Sequence, residues 1–222
     1  MFQRWRMLSF LHWRYEPDSI EPLLPSTVTL DTFDGAAWVG LTPFLLTDLR
    51  PPFLPALPWI SRFPETNVRT YVKGPDGERG IWFFTLEADR LAAVIGARAS
   101  YQLPYRWADM EVKSSAGLVN YRSTRNWPFG SAHTGIAVQP GEPMNAGNFD
   151  NFLTARYRLY TLVVKRLAFA QIEHAPWPLH TAHLVSLNQD LVRQSGLPDP
   201  QGTPILHYSP DLFVRIGRLQ LA

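Results

Sequence analysis

The sequence predicts a mainly β protein in which antiparallel strands form a barrel or a sandwich. Runs of β-branched and aromatic residues alternate with polar residues and end at turns that contain Gly, Asp or Pro, as strands do. Segments with helical spacing are few and short, and the regular succession of strand and helix that builds a parallel sheet is missing. The 20 prolines among 222 residues also favour short elements joined by turns.

Two turns indicate the clearest strand pairs. Asp34-Gly35 separates predicted strands at 27–33 and 36–46, and Asp-Gly is a strong signal for a two-residue hairpin. The turn at 74–77 separates 65–73 from 80–88 in the same way. Further strands are predicted at 110–114, 118–122, 133–139, 157–164, 168–174 and 211–219. Short helices are predicted at 18–24, 91–101, 149–155 and 187–195, and no internal boundary divides the chain, so one domain over 1–222 is expected.

Composition excludes several classes of function. A formal net charge of +2 provides no extended basic surface for nucleic acid or for an anionic membrane. The absence of cysteine removes disulfides, thiolate metal sites and a cysteine nucleophile. The sequence also lacks the glycine-rich loops that bind nucleotides and dinucleotides, so no cofactor is predicted. With neither a secretory nor a membrane-spanning pattern, the expected location is the cytoplasm.

His180 and His183 form a close histidine pair, which we interpret as two half-buried structural residues with hydrogen-bond partners. The pair follows a Pro-Trp-Pro segment, and no carboxylate lies between the two histidines to complete a metal site. No metal is therefore predicted.

Six blocks of sequence follow one another along nearly the whole chain: 10–13 (FLHW), 31–39 (DTFDGAAWV), 65–72 (ETNVRTYV), 93–98 (AVIGAR), 103–105 (LPY) and 152–160 (FLTARYRLY). Together they resemble the YqjF-like family of uncharacterised bacterial proteins. That family is similar in turn to acetoacetate decarboxylase. The resemblance implies a single-domain, mostly antiparallel β-barrel with a few short peripheral helices and an interior pocket.

One departure from the decarboxylase pattern bears on chemistry. The pattern has an arginine, then six residues later a proline followed by two lysines, of which the first forms a Schiff base and the second lowers its pKa. Arg98 and Pro104 keep this spacing, but Tyr105 and Arg106 stand in place of the lysines. A phenol cannot form an imine, and none of the three lysines in the chain has a sequence context suited to replace it. Imine chemistry at Tyr105 is therefore excluded.

The predicted strand 65–73 has an unusual alternation. One face carries Glu65, Asn67 and Arg69, whereas the other carries β-branched residues. If the β-branched face packs under a helical layer, the polar face lines the interior, where Arg69 can bind a carboxylate through two parallel hydrogen bonds. If the strand lies at an edge of the sheet, the same polar face is exposed to solvent. The sequence leaves both alternatives open.

A second cluster of candidates lies around the altered lysine positions. Arg98 and Tyr101 share one face of a short helix, and the resemblance implies that Tyr105 faces the pocket. There Tyr105 could act as a hydrogen-bond donor or general acid, with Glu65 as an alternative acid or base. The competing interpretation is a structural hydrogen bond from Tyr105 to Arg98 or Glu65. The candidate catalytic residues are therefore Glu65 and Tyr105, and the candidate ligand-binding residues are Asn67, Arg69, Arg98, Tyr101 and Arg106.

Two weaker signals come from the first quarter of the chain. An N-terminal strand entering the barrel would let His12, Trp13 or Arg14 reach the pocket, although a histidine this close to a terminus is by default exposed to solvent. The apolar, proline-rich segment 51–58 (PPFLPALP) suggests a lid or a contact in a possible homo-oligomer.

Three functions fit these residues. The first is a pocket that binds or acts on a small carboxylate or carbonyl compound without forming an imine. The second is a non-catalytic small-molecule binder or sensor that kept the fold and lost the chemistry. The third is a structural protein with a fully packed interior, which predicts that Glu65 and Arg69 pair with each other and leave no cavity.

Overall fold

A computed structural model describes residues 1–127 and 131–222, and within these residues thirteen strands form one hydrogen-bonded sheet. The strands are β1 (Phe2–Tyr15), β2 (Thr29–Leu30), β3 (Ala37–Arg50), β4 (Phe63–Lys73), β5 (Arg79–Ala88), β6 (Tyr105–Ser115), β7 (Leu118–Trp127), β8 (His133–Pro143), β9 (Arg158–Val163), β10 (Arg166–His174), β11 (His180–Gln189), β12 (Ile205–Ile216) and β13 (Gln220–Leu221). The helices are α1 (Pro17–Ile20), α2 (Leu91–Tyr101), α3 (Asn148–Thr154) and α4 (Leu191–Gln194), with a 3-10 turn at Glu21–Leu23. The predicted mainly β class with short helices is confirmed.

The sheet closes into two hydrogen-bonded rings that share a wall of five strands, in the order β12-β1-β3-β4-β5. At one end of this wall β5 branches, because residues 81–82 pair with β9 and residues 86–88 pair with β6, both in parallel. At the other end β12 branches, because residues 207–208 pair with β11 and residues 214–216 pair with β10. The first ring therefore continues through β6, β7, β8 and β11, and the second through β9 and β10.

Both faces of the shared wall are buried. On one face of β4, Val68 belongs to a core cluster with Val119 and Tyr121 of β7 and with Val138 of β8. On the other face the polar side chains of β4 point into the second ring. The layer that covers the β-branched face is thus largely sheet rather than helix, and β4 lies between neighbouring strands instead of at an edge.

The two predicted hairpins have different outcomes. Strands β4 and β5 pair in antiparallel fashion across the turn at 74–77, as predicted, and Gly77 takes a positive φ of 79°. At Asp34-Gly35 the turn also forms, but its strands meet only at the bridge between Phe33 and Ala36. Because β2 pairs with β4 rather than with β3, the hairpin predicted from 27–46 is wrong beyond its turn.

The helix predicted at 187–195 is wrong over its first part, because β11 continues to Gln189 and α4 begins only at Leu191. On β11, His180 is half-buried and donates through Nδ1 to the carbonyl of Gly141 at 2.9 Å, whereas His183 is exposed. The structural interpretation therefore holds for His180 alone. Within the described ranges, no group of three or more His, Asp or Glu side chains is placed to hold a metal ion, and no helix has the length and apolarity needed to cross a bilayer.

Candidate functional site

The second ring encloses a cavity of about 330 Å³, a volume typical of small-molecule sites. One wall is β4, which contributes Glu65, Asn67 and Arg69. The facing wall is apolar and consists of Leu159 from β9, Ile172 from β10 and Ile216 from β12. A ligand in this cavity therefore meets polar groups on one side and hydrocarbon on the other.

Among the described residues, the exposed part of the cavity lining marks its entrance. The exposed residues of its lining are Ile60, in the loop before β4, and Ala92, Gly96 and Ser100 of α2. Arg69 lies toward the opposite end, where Phe10, His12 and Tyr71 are fully buried. Helix α2 thus borders the entrance, and the apolar segment 51–58 leads into the same edge through Ile60.

Glu65 and Tyr105 form a hydrogen-bonded pair in the cavity wall. The Tyr105 hydroxyl donates to Oε2 of Glu65 at 2.9 Å. Burial raises the pKa of Glu65 to about 7, even though hydrogen bonds from Tyr105 and Asn67 act to lower it. Burial and the neighbouring Glu65 also raise the pKa of Tyr105 well above its ordinary value. Near neutral pH, Glu65 can therefore exchange a proton while Tyr105 remains a hydrogen-bond donor.

Arg69 is a buried cation without a carboxylate partner in the described part of the chain. Only 3% of the residue is exposed, and its Nε and Nη2 atoms are buried and make no hydrogen bond to any described residue. The guanidinium carbon lies 5.2 Å from the ring centre of Phe10 and 5.9 Å from that of Tyr71. Nε and Nη2 form one edge of the guanidinium, which is the edge that can bind a carboxylate with two parallel hydrogen bonds.

Two further unpaired polar atoms lie beside Arg69 in the cavity wall. Oγ1 of Thr42 and Oδ1 of Asn67 are buried and have no hydrogen-bond partner among the residues described. Thr42 and Asn67 face each other across the β3–β4 pair. Buried polar groups are normally satisfied, so this cluster is typical of a site that binds water or a ligand. Sequence reasoning missed Thr42, because a lone threonine in an apolar strand carries no functional signal.

His12 lies next to Arg69 rather than in solvent, so the default expectation for this histidine is wrong. Gly40 of β3 separates the two, since a Cβ atom there would lie 3.0 Å from the His12 ring and 3.5 Å from Cγ of Arg69. Tyr71 donates its hydroxyl proton to the carbonyl of Leu153 and therefore accepts a hydrogen bond from Nε2 of His12. Burial and the charge of Arg69 lower the pKa of His12 well below its ordinary value, so the ring is neutral.

The remaining predicted residues divide between the cavity and its surroundings. Tyr101 lines the cavity, and its hydroxyl donates to the carbonyl of Gly217 at 2.9 Å. Arg98 does not line it. Instead Nη1 of Arg98 donates to the backbone carbonyl of Tyr105 at 2.8 Å, which fixes the start of β6. The hydroxyl of Tyr105 donates a hydrogen bond to Glu65. Glu65 is one of the two partners that the sequence suggested for a structural hydrogen bond from Tyr105.

Arg106 also lies outside the cavity lining. It pairs in register with Glu87 of β5, which forms a buried ion pair with Arg125, with 2.6 Å between Oε1 and Nη2. Burial, together with the charges of Arg125 and Arg98, lowers the pKa of Arg106. Because successive residues of a strand point to opposite faces, Tyr105 faces the cavity and Arg106 faces away from it.

None of the three lysines lines the cavity. Lys73 lies with Nζ 3.4 Å from Asp31, Lys113 forms an exposed ion pair with Glu111, and Lys165 is exposed in the turn between β9 and β10. The cavity wall therefore contains no lysine that could form an imine.

Comparison with solved structures shows the fold of acetoacetate decarboxylase-like proteins. The acetoacetate decarboxylase of Legionella pneumophila superposes with a TM-score of 0.67 at 15% identity, over 98% of this chain and 86% of that one. An acetoacetate decarboxylase-like enzyme from Sphingomonas wittichii RW1 gives 0.69 at 12% identity, over 100% and 92%. The enduracididine biosynthesis enzyme MppR, complexed with pyruvate, gives 0.68 at 11% identity, over 99% and 89%. At these identities the similarity establishes the fold alone.

Comparison of sequences identifies the family. The uncharacterized protein YqjF of Bacillus subtilis (strain 168) is 37% identical over 211 residues, which cover 94% of this chain and 87% of the relative. A family model described as an uncharacterized conserved protein, DUF2071, matches residues 2–212. These matches confirm the resemblance carried by the six sequence blocks. The chain therefore belongs to the DUF2071 family of uncharacterized conserved proteins and is a relative of YqjF.

Proposed function

We propose that the cavity binds a small organic acid and that Arg69 holds the carboxylate through Nε and Nη2. The observation that carries this proposal is the burial of Arg69 in the cavity wall without a carboxylate partner among the described residues. A buried charge is costly unless it is paired, and a bound carboxylate supplies both the opposite charge and the two missing hydrogen-bond acceptors. A fully packed structural protein would instead satisfy these donors from within the chain.

Glu65 and Tyr105 provide the means for proton transfer in the same cavity. Glu65, with its pKa near 7, is suited to take a proton from a carbon beside a carbonyl group and to return it. The Tyr105 hydroxyl, which donates to Glu65, holds that carboxyl group in place. Such chemistry forms no covalent bond with the protein, in keeping with a cavity wall that contains no lysine.

A non-catalytic binder or sensor is the second candidate. The observation in its favour is that the Tyr105 hydroxyl is already engaged by Glu65, which leaves neither group free in the absence of ligand. Both candidates share the carboxylate site at Arg69, and they differ only in whether the ligand is changed.

The test of binding is a thermal-shift measurement with pyruvate and with its neutral amide. An acid at about 100 times its Kd stabilises the folded state by ~2.7 kcal/mol, which corresponds to roughly 5–10 °C for a domain of this size. Pyruvate is expected to raise the Tm of the wild type and of Arg98→Leu, an arginine variant outside the cavity lining, but not that of Arg69→Leu. The amide is expected to have no effect. An equal shift in Arg69→Leu, or no shift with any small acid in the wild type, would contradict the proposal.

Exchange of ligand protons with solvent separates the two candidates. If Glu65 removes a proton from the methyl group of pyruvate and returns one from heavy water, NMR will record loss of the methyl signal in the presence of protein. The expected result is exchange with the wild type and none with Glu65→Gln, although both variants bind the acid. Binding without exchange in the wild type would identify a binder.

A further inference from the structure

The cavity is larger than the smallest acids require. Its volume of about 330 Å³ corresponds to about eleven water-sized groups at roughly 30 Å³ each. Pyruvate, with about six non-hydrogen atoms, would fill roughly half of that space. Partly filled apolar space forfeits contacts on every side, so a ligand matched to this cavity has a substantial body beyond its carboxylate.

The distribution of polar groups along the cavity indicates how such a ligand is oriented in it. Thr42, Asn67 and Arg69, which carry the unpaired polar atoms, line the cavity on the part of its wall that lies toward the closed end. From Arg69 to Phe63, at the start of β4, the strand extends about 20 Å. Beyond Glu65, toward the entrance, the neighbouring lining is apolar and consists of Phe44, Leu46, Leu49 and Phe63.

The facing wall continues the same pattern. Leu159, Ile172 and Ile216 come from three different strands and present only hydrocarbon to the cavity. At the entrance, α2 contributes small side chains such as Ala93 and Ala97, which leave room for a chain to pass beneath the helix. Outside the group of Thr42, Asn67 and Arg69 the lining is therefore mainly hydrocarbon, and its other polar members include the Glu65–Tyr105 pair, Gln3, Ser100 and Tyr101.

We infer that the ligand of this site is a monocarboxylic acid with an unbranched or aromatic apolar tail of about six to eight carbon atoms. Its carboxylate binds Arg69 at the closed end, and its tail lies along the apolar wall toward α2. This inference rests on the proposed carboxylate site at Arg69 and specifies the class of acid that fills it. A tail of this kind gains affinity by burial of each methylene group, whereas acids without one bind through the carboxylate alone.

The experiment is a calorimetric titration of the protein with straight-chain carboxylates of four, six, eight and ten carbons, with 1-octanol as the control for non-specific apolar binding. Each added methylene is expected to lower Kd about fourfold up to about eight carbons, after which the gain stops. Octanoate is expected to bind the wild type but not Arg69→Leu, and 1-octanol is expected to bind both variants equally and weakly.

A second variant tests where the tail lies. Ala97→Phe adds a ring on the cavity side of α2, and it is expected to weaken octanoate at least tenfold while the thermal shift with pyruvate stays unchanged. Affinity that is flat or falls with chain length would overturn the inference, and so would an equal loss of octanoate and pyruvate in Ala97→Phe. If either result is obtained but pyruvate still binds the wild type and not Arg69→Leu, the carboxylate site stands and only the apolar tail is refuted. If no acid of any length binds, both proposals fail.

Discussion

Two buried arginines lie against the same tyrosine ring but differ in their hydrogen-bond and ion-pair partners. The guanidinium carbons of Arg156 and Arg69 lie 4.6 Å and 5.9 Å from the ring centre of Tyr71. Arg156 donates through Nη1 to Asp31 at 2.6 Å and through Nε to the carbonyl of Phe152 at 2.9 Å. Arg69 has neither kind of partner among the described residues. Since the two arginines are equally buried, they differ in their pairing alone, and this difference is the basis on which we propose Arg69 rather than Arg156 as the residue that binds a ligand.

The pairing of Arg156 is part of a larger charge cluster. Asp31 is buried, and besides Arg156 it has Lys73 and Arg79 with nitrogen atoms 3.4 Å from its carboxylate. The Asp31 carboxylate therefore forms ion pairs with three cations. These ion pairs connect the end of β2 to β4, to β5 and to the segment after α3. Arg69, by contrast, has no such carboxylate partner among the described residues.

The largest expected effect comes from removal of the carboxylate partner that Arg156 has and Arg69 lacks. Asp31→Asn leaves a buried guanidinium without its counter-ion and is expected to lower the free energy of unfolding by about 3–5 kcal/mol. Urea denaturation at neutral pH measures this loss. Asp211→Asn is the matched control, because it breaks a partly exposed ion pair with Arg4 and is expected to cost at most about 1 kcal/mol. Equal costs for the two variants would mean that the buried cluster contributes no more than a surface pair.

The next effect concerns Glu65, a buried carboxyl group that forms no ion pair with any described residue. Its folded-state pKa of about 7 exceeds the ordinary value of 4.5, so between these pH values the folded state binds more protons than the unfolded state. Stability therefore falls as the pH rises from about 4.5 to 7 and then levels off, for a total of about 3 kcal/mol. In Glu65→Gln, which keeps the hydrogen bond from Tyr105, this fall is expected to disappear. Urea unfolding at pH 5 and pH 8 decides the matter, and an unchanged pH profile in the variant would show that Glu65 is not the titrating group.

The shared wall illustrates what sequence can predict and what it cannot. The alternation of Glu65, Asn67 and Arg69 predicts a polar face of β4, because side chains on a strand alternate by local geometry alone. Whether that face meets solvent depends on the branching of β5 and β12, which joins strands far apart in the sequence. β1 lies in the same wall, and its run of buried residues from Leu8 to Leu11 shows no alternation, since both of its faces are covered.

The candidate residues near the altered lysine positions also show what strand alternation can predict. Tyr105 and Arg106 are adjacent on one strand, so alternation already implies that only one of them can face the cavity. The apolar wall has no comparable signal, because a buried isoleucine such as Ile172 looks the same in a sequence whether it fills a core or lines a cavity. The polar side chains of β4 were therefore predictable as one group, whereas their burial, the contribution of Thr42 and the apolar half of the site required the three-dimensional arrangement.

The smallest effect bears most directly on the comparison of the two arginines. Arg69→Leu removes a buried charge that has no described counter-ion, and replacement of such a charge by a hydrocarbon side chain is expected to raise the free energy of unfolding by roughly 1–2 kcal/mol without ligand. Arg156→Leu, the same substitution at the other arginine beside Tyr71, is expected to lower it, because Asp31 then loses its closest partner. Both values come from urea unfolding in a buffer free of carboxylates. A loss of several kcal/mol in Arg69→Leu would assign that arginine a structural role like that of Arg156, and the contrast on which the carboxylate site depends would be gone.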